Sequence, residues 1–214
     1  MNKGLIALGI KLFAYAMDRQ RQGQQPEDTG KDRALQALKR KDGAVVLILG
    51  KRESGKTILS YRLADFFKRP TYAISPNQRP PSWITKIGLE EIETVPHGST
   101  LILDDLPVYM SSRDYNEAAV KSVERLIPVA RHKGIMLIFV SQTSGFADRW
   151  VMDADAIFLK QMSLLYGDLE RPAVKKLMDR AAPYFEGKDE DWLKKHVYMI
   201  TDSYEGILSV AIVV

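Results

Sequence analysis

The residues Gly50-Lys51-Arg52-Glu53-Ser54-Gly55-Lys56-Thr57 have types and spacing suited to holding a polyphosphate. They match the pattern G-x-x-x-x-G-K-[ST], in which the glycines let the backbone curl and turn successive N–H groups inward onto phosphate oxygens. A helix that starts in this loop adds its own unpaired N–H donors and the positive end of its dipole. Lys56 is then placed to neutralise β- and γ-phosphates, and the Thr57 hydroxyl to hold a Mg²⁺ ion. Through Ile58, the first apolar residue of the following helix, the stretch reads as a nucleoside triphosphate site, ATP being the expected ligand. A chance surface turn rich in Gly, Ser and Lys is the competing reading. The buried-looking run before the loop and the amphipathic stretch after it argue against that.

Two further polar points lie at the ends of apolar runs. Thr100–Asp105 (TLILDD) finishes in paired carboxylates. A carboxylate at the end of a buried strand is costly unless it is paired or bound to a cation. Asp104 is therefore expected to hold Mg²⁺ through water, and Asp105 to polarise an attacking water, with a helix cap or a salt bridge as the structural alternative for each. Ile135–Val140 (IMLIFV) runs into Ser141-Gln142, where Gln142 can sense a γ-phosphate or align water, or else cap the next turn.

These points need strands and helices to hold them. Ala44–Gly50 reads as a buried strand and Thr57–Lys68 as the helix after the loop, ended by Arg69-Pro70. Thr71–Ser75, Thr100–Asp105, Ile135–Val140 and Ala154–Lys160 read as strands. Trp83–Glu93, Asp114–Lys133 (kinked at Pro128, ended by Gly134) and Arg171–Arg180 read as helices. His196–Thr201 and Ile207–Val213, around Asp202–Gly206, read as a C-terminal β-hairpin. Alternation of strands with helices predicts an α/β fold with a mostly parallel central sheet.

At 214 residues the chain suits one α/β domain with a short appendage: an apolar helix over 1–17, a linker and basic helix over 18–43, and the main domain over 44–214. Cysteine is absent, which excludes disulfide and thiolate chemistry. Residues 1–43 carry nine Lys/Arg against five Asp/Glu, whereas residues 44–214 carry 22 of each, so the main domain has no globally basic field. Gly4–Met17 is apolar apart from Lys11 and too short to span a bilayer as a helix, which takes about 20 residues. It can dock on a partner, lie on a membrane surface with Lys3, Lys11, Arg19 and Arg21 at the headgroups, or pack on its own domain. The last apolar run, Ile207–Val213, is also too short to span.

The order of Lys56, Asp104 and a third polar-ended strand resembles the RecA-like (ASCE) branch of P-loop NTPases. Within that branch, Ala130-Arg131-His132-Lys133-Gly134-Ile135 followed by Phe139-Val140-Ser141-Gln142 closely resembles the FtsK/HerA superfamily of DNA-pumping motors. The resemblance covers roughly residues 44–160, and the small size is most like genome-packaging ATPases of internal-membrane double-jelly-roll viruses. It implies a Mg²⁺-dependent ATP hydrolase that assembles as a homo-oligomeric ring, pentamer or hexamer, and translocates double-stranded DNA into a capsid. It also implies a place in the host cytoplasm and at the packaging vertex of the virion, and the apolar segment 1–17, outside the resemblance, is expected to dock on a capsid vertex or viral membrane protein. Gln142 takes the sensor role and Arg131 that of an arginine finger, with Arg113 and Arg125 in reserve. Asp105 stands where most of the family has Glu, and Thr143-Ser144 replaces the Arg-Pro that often follows the Gln. Loop residues Arg79, Arg113 and Arg149 are candidates for phosphate contacts with DNA, which carry no sequence information and weaken with salt. Two other classes compete: a membrane-docked phage assembly or secretion ATPase that never grips DNA, and a nucleotide-binding scaffold with little turnover.

Overall fold

The run AVVLIL, apolar at every position, is the strand β1 (Ala44–Leu49), and all six of its residues are buried. Continuous apolar character rather than alternation is what a strand covered on both faces requires. In the computed structural model, which describes residues 29–75, 78–104, 128, 130–142, 153–163 and 172–213, β1 lies inside an eight-stranded sheet. The other strands are β2 (Thr71–Ile74), β3 (Ile84–Lys86), β4 (Thr100–Asp104), β5 (Met136–Ser141), β6 (Ala156–Leu159), β7 (His196–Thr201) and β8 (Glu205–Ser209), in the spatial order β3-β2-β4-β5-β1-β6-β7-β8. Strands β1 to β6 pair in parallel, and the β7–β8 hairpin extends the sheet antiparallel from β6.

Alternate residues of β1 serve two cores. Val45, Leu47 and Leu49 pack in one cluster with Val174, Leu177, Ala181 and Phe185 of helix α3 (Pro172–Phe185). Ala44, Val46 and Ile48 pack in the other with Leu59, Leu63, Ala64 and Phe67 of α2 (Lys56–Phe67). Ala34, Leu35 and Leu38 of α1 (Thr29–Arg40) join that second cluster, so the basic helix is part of the folded body and shows its Lys and Arg residues on the outer side. Helix α2 ends where Lys68 turns left-handed (φ 57°) just before Arg69-Pro70.

Several expected elements take a different form. Trp83–Glu93 is not a helix: Ile84–Lys86 adds to β2 as a parallel edge strand, and only Leu89–Thr94 coils, as a 3-10 helix capped through Gly88. β-branched Ile84 and Thr85 favour the extended form, and Gly88 separates the two pieces. Helix α3 runs on to Phe185 past Pro183, because the apolar face formed by Val174, Leu177, Ala181 and Phe185 continues to that point. A short helix, α4 (Glu190–Lys195), follows, its N-terminus capped by Asp189, which accepts from the Trp192 N–H at 2.7 Å. The last strand is Glu205–Ser209, and Val210–Val213 closes as a 3-10 turn.

Residues 1–28, Asp105, Arg113, Arg125, Arg149 and most of the helix expected over 114–133 lie outside the described residues. Among the described residues, no helix is long and apolar enough to cross a membrane.

Candidate active site

The loop after β1 is shaped by positions where a side chain would not fit. A Cβ on Gly50 would come within 2.6 Å of the Lys160 Cβ and 2.9 Å of the Ser54 Oγ. Glu53 (φ 60°) and Gly55 (φ 88°) are both left-handed, and this bends the chain into a concave turn before the Leu59 N–H bonds the Gly55 carbonyl at 3.0 Å to start α2. A left-handed non-glycine residue such as Glu53 is uncommon outside turns held by their surroundings. Here the surroundings include β6 and the chain leaving it: the Lys160 N–H donates to Leu49 O (2.8 Å), and the Lys51 N–H donates to Gln161 O (2.9 Å).

Lys56 is buried, and its ammonium folds back over the loop to donate to Lys51 O at 2.8 Å. The Ser54 hydroxyl is buried without a protein partner, a cost that a ligand oxygen in the loop would relieve. Thr57 donates its hydroxyl to Asp104 Oδ2 at 2.9 Å, joining the start of α2 to the end of β4. Gln78, from the loop after β2, donates to the Thr57 Oγ1 at 3.4 Å. Asp104 is only 3% exposed, so its carboxylate has left bulk water. A buried carboxylate beside a hydroxyl, both oxygen donors, suits a hard cation of the Mg²⁺ type, which is held by one or two carboxylates together with phosphate oxygens. The residues present therefore fit Mg²⁺ and a triphosphate.

The register places these groups on one edge. Asp104 pairs with Val140, and Leu49 with Ser141, so β4, β5 and β1 end side by side, with the Ser141-Gln142 end between the loop and Asp104. Ser141 is buried and Gln142 half-buried. Lys51, Arg52 and Ile58 are exposed (Ile58 at 56%), and the Lys51 N–H is already given to Gln161 O.

Arg131 is on the opposite edge of the sheet, where β5 begins. Its guanidinium donates to Asp153 O at 3.1 Å and pairs with Asp155 Oδ2 at 3.5 Å. From there it cannot reach the loop of its own chain, so a finger role would need a neighbour's loop against that edge.

Four residues close to the loop escaped the reading of the sequence. Gln78 contacts Thr57, as described above. Tyr61 is one turn along α2, its hydroxyl buried and its pKa raised by burial and by the Asp104 charge. Lys160 is fully buried beside Gly50, its ammonium donating to the carbonyls of Lys194 (2.6 Å), His196 (2.7 Å) and Leu193 (3.1 Å). Burial lowers its pKa from 10.5 to about 8. Gln161 follows, with a buried side-chain oxygen. The one available signal was a lysine at the end of an apolar strand, Ala156–Leu159.

No protein-family model matches the chain, and no curated protein matches it. Among solved structures, the DNA-packaging ATPase of Sulfolobus turreted icosahedral virus aligns with TM-score 0.53 at 16% identity, over 77% of this chain and 96% of that one. The genome-packaging NTPase of Sulfolobus turreted icosahedral virus 2, solved in complex with ATPγS, aligns with TM-score 0.50 at 14% identity, over 78% of this chain and 96% of that one. At such identities the likeness is one of fold. The chain has the RecA-like α/β fold of P-loop ATPases, with the polar-ended β5 between β1 and β4.

Proposed function

We propose that this protein is a Mg²⁺-dependent ATP hydrolase that works as a ring-shaped motor and moves double-stranded DNA into a viral capsid. The observation that carries the hydrolase reading is the Thr57–Asp104 hydrogen bond of 2.9 Å beside the buried Lys56, at the mouth of a loop containing an unpartnered Ser54 hydroxyl. In this reading the loop amides and Lys56 hold the phosphates, Thr57 and Asp104 hold the metal, and Gln142 aligns water. Asp105 is the residue proposed to take up that water's proton. A bound Mg²⁺ neutralises charge that accumulates on the phosphoryl oxygens. Phosphoryl transfer needs mainly positioning and charge stabilisation, so pre-aimed donors supply much of the rate.

The motor reading is supported by the Ala130–Ile135 and Phe139–Gln142 stretches and by the shared fold with two viral packaging enzymes along nearly their whole length. Because Arg131 is engaged with Asp155, Arg113 and Arg125 are the preferred candidates for a finger offered to the neighbouring subunit. Residues 1–17 are proposed to dock the ring at the capsid vertex or its membrane.

The test is ATP hydrolysis with and without duplex DNA at low and high salt. A motor is stimulated by DNA of any sequence, the stimulation fades as salt rises, and it survives removal of residues 1–28. ATP hydrolysis indifferent to DNA at both salt concentrations would leave an ATPase and remove the motor.

A further inference from the structure

A cavity of about 660 Å³ opens at the same edge of the sheet as the phosphate loop, on the side away from Asp104. It is lined by the chain leaving β6 (Lys160 to Ser163), the last turns of α3 and the turn that follows. Met162, Met178 and Phe185 give it apolar surface, and Gln161 brings a polar group whose Oε1 is buried with no hydrogen-bond partner. The cavity and the loop share a wall: Gln161 O accepts the Lys51 N–H at 2.9 Å, and the Lys160 Cβ is held against Gly50.

The direction of a bound nucleotide follows from the two sides of the loop. Thr57 and Asp104 lie on the β4 side, where they would hold a metal that offsets the charge of the terminal phosphates. The remainder of the nucleotide then points the other way, toward β6, the neighbour of β1 on that flank. Apolar walls with a few aimed polar groups are what small-ligand sites present, and polarisable methionine sulfur packs well on aromatic rings. A glutamine amide can take the N6 and N7 edge of adenine in paired hydrogen bonds, its oxygen accepting from the exocyclic amine.

We propose that this cavity receives the base of the nucleotide and that Gln161 selects adenine by accepting its exocyclic N–H. The inference rests on the phosphate-loop reading above. The experiment is equilibrium binding of ATP, ITP and inorganic tripolyphosphate, each with Mg²⁺, to the full chain and to Gln161→Leu and Ala182→Trp. ITP presents a carbonyl where ATP has the amine, so the unmodified chain should favour ATP by roughly fivefold or more. Gln161→Leu should bring that ratio close to one. Ala182 is an exposed residue on the cavity rim, so tryptophan there should block the base without disturbing the fold, lowering ATP binding toward that of tripolyphosphate. Tripolyphosphate should bind all three proteins alike. Equal binding of ATP and ITP by the unmodified chain, or a preference unchanged in Gln161→Leu, overturns the base site and leaves the phosphate loop intact. Failure of both ATP and tripolyphosphate to bind overturns both readings.

Discussion

Where β1, β4 and β5 end, polar side chains are buried with fewer protein partners than they can use: the Ser54 hydroxyl has none, and so has that of Tyr61 close by. Where β1 and β6 begin, at the other edge, the polar groups are closed on one another. Asp155 takes the Lys41 ammonium on one oxygen, and the Val45 N–H (2.9 Å) and Arg131 (3.5 Å) on the other. Burial pushes that carboxyl up, but Lys41, Val45 and Arg131 more than offset it and hold its pKa below the usual value. Arg69 likewise spends its guanidinium on the carbonyls of Lys41 (2.6 Å), Asp42 (2.6 Å) and Gly134 (2.9 Å). Both edges use acids, cations and glycine turns. The closed set ties strands and helices together; the open set keeps donors and acceptors for a ligand. A buried group left without a partner costs stability unless something outside the chain completes it. The Ser99 and Thr100 hydroxyls at the start of β4 are unpartnered as well, so it is the combination with the curled loop, Lys56 and the Thr57–Asp104 pair that sets the first edge apart.

Substitutions at the two edges should therefore separate activity from stability. Lys56→Ala should lower ATP hydrolysis at least about 100-fold while leaving the thermal midpoint unchanged or raised, because the cost of burying a cation is removed together with its bond to Lys51 O. Loss of folding along with activity would mean that the open edge is structural too. Asp155→Ala should do the reverse. It strands the Val45 N–H in the core and should cost on the order of 2–3 kcal/mol in urea unfolding. Hydrolysis measured where the variant is folded should stay within about twofold, and a larger fall would show that the closed edge also serves the reaction.

Lys160 sharpens the comparison, since it lies on the loop's side yet is closed on three carbonyls. Its folded pKa of about 8 is below the ordinary 10.5, so between those values the unfolded chain holds more protons than the folded one. Stability carried by this group therefore rises with pH across that window. Relative to Lys160→Met, the unmodified protein should gain on the order of 2 kcal/mol between pH 8 and pH 10. Parallel stability profiles for the two proteins would show that the ammonium is not desolvated as its burial implies.

Much of the interior was legible beforehand. Strands β1, β4 and β5 are built on short unbroken apolar stretches (AVVLIL, LIL and MLIFV), and their length and branched or aromatic residues favour a strand buried on both faces over a helix. The loop was legible for a similar reason, because its motif is contiguous and its chemistry depends on local curl. Strand β3 was not, being three residues long and defined by its neighbour β2 rather than by its own pattern. Helix α4 was too short to show a period. Arg131 is marked by the stretch it belongs to, but its partner Asp155 is 24 residues further on, a pairing no local pattern reveals.

The amino-acid order alone determined that a glycine-curled G-x-x-x-x-G-K-T loop follows the first strand and which residues, Lys56, Thr57 and Asp104, carry charge and oxygen donors to strand ends. That information is local, written in glycine spacing, apolar runs and the types at their ends. Only the packed sheet decided which of those ends lie together, that Arg131 faces away from them, and that Lys160 and Gln161 flank the loop on its other side. Those relations depend on strand order, which is set by burying both faces of one sheet at once, and no stretch of chain contains that condition by itself.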